Sequence, residues 1–229
     1  MARSRFVEAK SQVFKRLFEN RIRLRFWRLK RLAKKKDFWK VRDHSNMTRG
    51  LCEKAHAEGL FIEHGLAVLH SVVEKDIQAG CFLAASIIEV CGNDVELTRQ
   101  SIRKIAPALL KGIQEKERQA EIVRAKLIQA MPIPSSADQE QIYQAKRAEI
   151  IRAKMNLVHV TDLEEVVLKA CGDDTELKAE CSANFLSIKS SVSNMVEGLG
   201  GLLGNVFTPS PARTIGRAVT PEKLKGATL

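Results

Sequence analysis

Residues 4–42 run without a single glycine or proline and are rich in Arg, Lys, Leu and Ala. These are strong helix formers, and nothing in the stretch interrupts a helix. At a period of 3.6, Val7, Phe14, Leu17, Phe18, Ile22, Leu29, Leu32 and Trp39 fall on one broad face. Lys10, Arg21, Arg25 and Arg28 intrude on that face. The run Arg21-Ile22-Arg23-Leu24-Arg25-Phe26 alternates as a strand would, but only over six residues. The longer window therefore decides for a helix.

Charge is distributed as unevenly as the helix breakers. The chain carries a net +11, yet residues 1–50 hold 17 Lys/Arg against 4 Asp/Glu, a surplus of thirteen. The other 179 residues are close to neutral. Seven of the twelve aromatics, Phe6, Phe14, Phe18, Phe26, Trp27, Phe38 and Trp39, sit in the same basic head. Such asymmetry points to a polyanionic partner, either nucleic acid or an anionic membrane surface.

Helical periodicity continues along the body. Residues 43–50 read as a break, followed by the most apolar region, 51–91. There Leu66, Leu69, Val73 and Ile77 recur at helical spacing, as do Leu83, Ile87 and Val90, with Gly80 between two helices. From Asn93 to about Met131, Ile102, Ile105, Leu109 and Ile113 share a side, and Pro107 is a point of division or kinking. Pro132 and Pro134 stop this helix. Another runs from Asp138 to Val158 with Ala148, Ile151, Met155 and Val158 facing inward, and Thr161 with Glu164 opens a short helix to Ala170. In the last helix, 175–203, Phe185, Ile188, Val192, Met195, Leu199 and Leu202 form a seam suited to the chain's own core or to self-association. Cys91-Gly92-Asn93-Asp94 resembles Cys171-Gly172-Asp173-Asp174, with a glycine ending one helix and an Asn or Asp capping the next three residues before a Glu. Residues 208–229, with Pro209, Pro211 and Pro221, read as a disordered tail. Its Thr208-Pro209, Ser210-Pro211 and Thr220-Pro221 pairs suit proline-directed phosphorylation, which would place negative charge beside Arg213 and Arg217.

The expected architecture is all-α, an elongated bundle or hairpin of five to seven helices. It divides into a basic amphipathic arm (1–43), a helical body (44–205) and a tail (206–229). No phosphate-loop, dinucleotide or nucleophile-elbow motif is present. Cys52 and His56 share a helical face, but Cys81 with Cys91 and Cys171 with Cys181 are ten apart, which suits no compact zinc module. Five cysteines in apolar contexts read as buried, reduced thiols. No metal, cofactor or catalytic group is expected.

The candidate site is the basic head: Arg21, Arg23, Arg25, Arg28, Lys30, Arg31, Lys34, Lys35 and Lys36, with Phe14, Phe18, Trp27 and Trp39. A bland alternative is that the rings pack on the body and the cations form a solvated face. The first functional reading is a non-enzymatic scaffold that docks on an anionic membrane, sinking its rings to headgroup depth. The second is sequence-independent nucleic-acid binding, with the cations on phosphates and Trp27 and Trp39 on unpaired bases. A basic first helix followed by the apolar stretch Gly80-Cys81-Phe82-Leu83-Ala84-Ala85-Ser86 is similar in layout to the membrane-remodelling proteins of the ESCRT-III class. That resemblance implies a surface-assembling scaffold; the seam of helix 175–203 independently suits a homo-oligomer. The strongly acidic C-terminal region of that class has no counterpart here. The expected location is cytoplasmic and peripheral to a membrane. The Arg-rich start also suits mitochondrial targeting, and the basic head also suits the nucleus.

Overall fold

The computed structural model describes residues 2–92, 94–130 and 136–207. Among them every regular element is a helix, seven in all, in the order α1 (Ala2–Lys34), α2 (Phe38–Lys54), α3 (Glu58–Lys75), α4 (Ile77–Cys91), α5 (Val95–Ala130), α6 (Ser136–Ala170) and α7 (Thr175–Phe207). The all-α expectation holds. Helix α3 is central and packs on α1, α2, α4 and α5, while α6 and α7 lie against α4 and α5. The tail at 208–229 and the Pro132–Pro134 stop lie outside the described residues.

The long N-terminal helix ends earlier than its composition suggests. Lys36 adopts a left-handed φ of 55°, and Asp37 caps α2 by accepting from the Lys40 backbone N–H at 3.2 Å. Lys34 lies in the last turn of α1, where positive charge complements the helix dipole. The expected break at 43–50 is absent, because those residues are helical in α2. His44, Ser45 and Thr48 are buried there, and the Thr48 hydroxyl donates to the His44 carbonyl at 2.7 Å. The chain turns instead at Ala55–Ala57, with His56 at φ 48°.

Helices α3 and α4 meet at Asp76, not at Gly80. Asp76 ends α3 and accepts from the Ala79 N–H at 3.1 Å to begin α4. Gly80 lies inside α4, where an added Cβ would run into Val73. Gly112 of α5 meets the same Val73 from another side, with a Cβ position only 2.6 Å from the His70 carbonyl oxygen. Two glycines thus let α4 and α5 close on one valine of α3. Pro107 sits exposed within α5 without dividing it.

The α4–α5 and α6–α7 turns have the same construction, eighty residues apart. Gly92 and Gly172 take φ of 56° and 57°. Asp94 and Asp174 each cap through Oδ1, accepting at 2.9 Å from Leu97 and Leu177. The caps therefore lie one residue later than the Asn93 and Asp173 of the sequence reading. Cys91 Sγ lies 3.4 Å from Ser101 Oγ, and Cys171 Sγ lies 4.0 Å from Cys181 Sγ. The buried registers agree as well, pairing Leu83 with Leu163, Ile87 with Val167 and Ile105 with Phe185. The hairpins differ at other positions that are inside or half-inside the first. Ala84, Ile102 and Leu109 are buried, whereas their counterparts are Glu164, Ser182 and Lys189. Lys189 Nζ and Glu164 form an ion pair at 2.8 Å. The second hairpin thus carries polar side chains at three positions where the first is apolar and buried.

Helix α6 corrects two expectations. It runs unbroken through Thr161, whose hydroxyl donates to the Leu157 carbonyl at 3.0 Å rather than capping a new helix. Its inward stripe is Asn156, Val160, Leu163 and Val167. The residues expected inside, Ala148, Ile151, Met155 and Val158, are exposed. In α7 the expected seam is buried at Phe185, Ile188, Val192 and Met195. These four side chains are used in the chain's own core. The Leu199 and Leu202 side chains lie outside the described residues.

Candidate anionic-surface interface

Helix α1 enters the core through Ile22, Phe26, Leu29 and Ala33, spaced by four, three and four. Phe26 packs edge-on against Phe61 at a ring separation of 5.3 Å and reaches Gly65 on α3. The six-residue alternation therefore resolves as a helix: Ile22 and Phe26 turn inward while Leu24 turns outward. Of the expected apolar face, Ile22 and Leu29 are core residues, Phe18 and Leu32 are half-buried, and Phe14 and Leu17 are exposed. The Val7 side chain lies outside the described residues.

At 100° per residue, Val13, Leu17, Leu24 and Trp27 lie roughly opposite the core face. Each is more than half exposed, from 53% at Trp27 to 65% at Leu24. Around them, residues 20–36 contain nine Lys/Arg and no carboxylate. Arg21, Arg23, Arg28, Lys30, Arg31, Lys34, Lys35 and Lys36 are exposed, and Arg25 is half-exposed. Among the described residues none of the nine enters an ion pair with a protein carboxylate. The Arg31 guanidinium instead lies over the Trp27 ring at 4.3 Å. Asp37, the first acid after this run, is already paired with Lys40 at 2.6 Å.

The candidate residues do not all share one element. Arg21 to Lys34, with Phe14, Phe18 and Trp27, belong to α1; Lys35 and Lys36 form the turn, and Trp39 is on α2. Trp39 is exposed beside Phe38, which packs edge-on against Phe82 of α4 at 6.1 Å. The sequence reading missed Leu24, Val13 and Met47 as exposed apolar residues. Leu24 was legible as the outward member of the Ile22–Leu24–Phe26 alternation, whereas Met47 is brought to α1 only by the fold.

His44 of α2 closes the inner side of this region. Its Nε2–H donates to the Arg25 carbonyl at 3.0 Å. Burial holds its imidazole below the usual 6.5, and the guanidinium charges of Arg25 and Arg28 push in the same direction.

All five cysteines are buried and free. Burial pushes the Cys81 and Cys181 thiols up to about 12 and that of Cys52 to about 11, the reverse of an activated nucleophile. No group of three or more His, Cys, Asp or Glu among the described residues is placed to hold a metal ion. No helix among them is long and apolar enough to cross a membrane. No protein-family model matches the chain, and no curated protein or solved structure matches it either.

Proposed function

We propose that the protein is a non-enzymatic structural protein that docks peripherally on an anionic membrane through the outward face of α1. The observation that carries this reading is the coincidence of Val13, Leu17, Leu24 and Trp27 with cations that have no ion-pair partner among the described residues. Burying a large apolar side chain fully is worth about 1.5–3 kcal/mol, so four half-exposed ones contribute a few kcal/mol. Near an anionic leaflet each cation adds about 1 kcal/mol. Phosphate-driven binding to nucleic acid uses the cations but has no use for exposed Val13, Leu17 and Leu24.

The test uses the whole chain, because α1 is anchored in the core. Retention on vesicles with and without phosphatidylserine is measured across a salt series, beside binding to RNA and DNA. The expected result is salt-sensitive retention on the anionic vesicles only. Leu17→Ser with Leu24→Ser and Trp27→Ser should abolish it, as should Arg21, Arg23 and Arg28 changed to Glu. Tight nucleic-acid binding without vesicle retention would overturn the proposal in favour of sequence-independent nucleic-acid binding.

A further inference from the structure

Helices α1 and α2 enclose an open groove of about 570 Å³, a size typical of ligand sites. Its apolar surfaces are Leu17, Leu24 and Met47, all exposed, and its charges are Arg21, Arg25 and Arg28. Among the described residues no carboxylate lines it, and neither does an aromatic ring other than the His44 imidazole. The side chains of Arg21, Arg25 and Arg28 come from one helix edge at spacings of four and three, so they project to the same side. The base is fixed rather than pliant: His44 is buried and bonded to the backbone of Arg25.

We infer that this groove takes a single anionic phospholipid, its phosphate held by Arg21, Arg25 and Arg28 and its upper acyl chain lying on Leu17, Leu24 and Met47. The inference deepens the membrane reading and rests on it, adding a saturable site to a diffuse surface attraction. The choice of ligand follows from the complementarity of the walls. Guanidinium groups match phosphate oxygens in fork geometry. Free phosphate or a nucleotide would use that charge and leave three large aliphatic side chains in water. A zwitterionic lipid would use the apolar walls but bring a cationic head to three arginines that have no ion-pair partner among the described residues. A phospholipid with net negative charge satisfies both parts.

The probe is dihexanoyl phosphatidic acid, kept below its micelle concentration, added to full-length protein carrying ¹³C-methyl methionine. The expected result is saturable one-to-one binding that shifts one methyl resonance, assigned by its loss in Met47→Leu. Arg25→Gln with Arg28→Gln should weaken binding by about tenfold or more, as removal of charge-assisted hydrogen bonds does. Lys34→Gln with Lys35→Gln, outside the groove, should weaken it by less than about threefold. Inorganic phosphate and dihexanoyl phosphatidylcholine should not saturate the site. Circular dichroism verifies that each variant is folded.

Absence of saturable binding by the monomeric lipid would overturn the groove while leaving vesicle docking to stand on its own test. Equal binding of inorganic phosphate would overturn the amphiphile assignment. Equal losses in the two double variants would show diffuse attraction and overturn the site. Monomer binding without vesicle retention would keep the pocket and remove the membrane reading beneath it.

Discussion

The imidazole of His44 and the main chain of Arg25 are joined by a single hydrogen bond, Nε2–H to carbonyl oxygen at 3.0 Å, which ties α2 to α1 beneath the basic face. Burial lowers the basicity of that ring below 6.5, with Arg25 and Arg28 acting in the same direction. The unfolded chain therefore binds this proton more readily than the folded one. The contribution of His44 to stability should be level above about pH 7 and fall as pH drops through 6.5 toward 5. Urea unfolding at pH 7.5, 6.5 and 5.5 measures the fall, and His44→Gln, which keeps a donor, should flatten it. The carboxylates held low by their partners titrate below this window; Glu115, bonded by Arg118 and Gln119, lies at about 2.

Lys116 should report at the other end of the pH scale. Its ammonium donates to the Lys75 carbonyl at 3.0 Å at the end of α3, and burial lowers it to about 8 from 10.5, against the pull of Asp76. The unfolded chain again holds the proton more tightly, so the contribution of Lys116 to stability should rise between pH 8 and 10.5, against the fall contributed by the buried thiols above pH 9. Denaturant titrations of the protein and of Lys116→Gln should differ in slope across this interval. Parallel slopes would show that Lys116 is solvated.

The two glycines against Val73 give an opposite expectation from a third. Gly112→Ala places a methyl 2.6 Å from a backbone oxygen, where α3 cannot yield without moving. Overpacking typically costs about 1–3 kcal/mol and should exceed the roughly 1 kcal/mol gained from alanine in a helix. Gly80→Ala should behave likewise. Gly50 lies within α2 with nothing within 4 Å of an added Cβ, so Gly50→Ala should stabilise by about 0.5–1 kcal/mol. Chemical denaturation of the three variants separates the cases by sign.

Asp94→Ala and Asp174→Ala each remove an equivalent N-cap, a loss of about 1 kcal/mol. Asp174 also accepts from Arg99 at 2.9 Å, joining the first turn of α5 to the start of α7. Its loss should be the larger, and in an Arg99→Met background the two variants should become similar. A double-mutant cycle reads the difference directly.

Thiol titration tests the core. With all five cysteines buried and Cys52, Cys81 and Cys181 well above their ordinary range, the native protein should react slowly with an aromatic disulfide reagent at pH 8. Unfolding in urea should release five equivalents. Rapid modification of the native chain would show that the hairpins open easily.

What could be read from the sequence depended on how many stripes each helix carries. Ile102, Ile105, Leu109 and Ile113 form the dominant apolar line on the core-facing part of α5, and Phe185 to Met195 form that of α7, so periodicity alone placed both inward. Helix α6 offers two, Ile151-Met155-Val158 and Val160-Leu163-Val167, and only the neighbouring α4 and α7 choose between them. Gly80 looked like punctuation because a close helix contact and a turn leave the same mark in a sequence. The turn at Lys35–Asp37 had no glycine to announce it, since Lys36 itself enters the left-handed region. His44 to Asn46 looked too polar for a helix interior, because the carbonyl that satisfies His44 lies nineteen residues away on α1. At the candidate site the charge was legible and the division of α1 into two apolar faces was not. That division depends on Phe61 and Gly65 of α3 receiving Phe26.

The anchoring of Ile22, Phe26, Leu29 and Ala33 has a thermodynamic consequence for the outer side of the same helix. Free amphipathic peptides are coils in water and must become helical on arrival, so much of their gross attraction is spent on ordering the backbone. Here that segment is shaped in advance by contacts on its hidden side, so the proposed docking should leave its secondary structure unchanged. Its affinity should therefore respond to core substitutions beneath it, such as Phe26→Ala, that never meet the adsorbing phase.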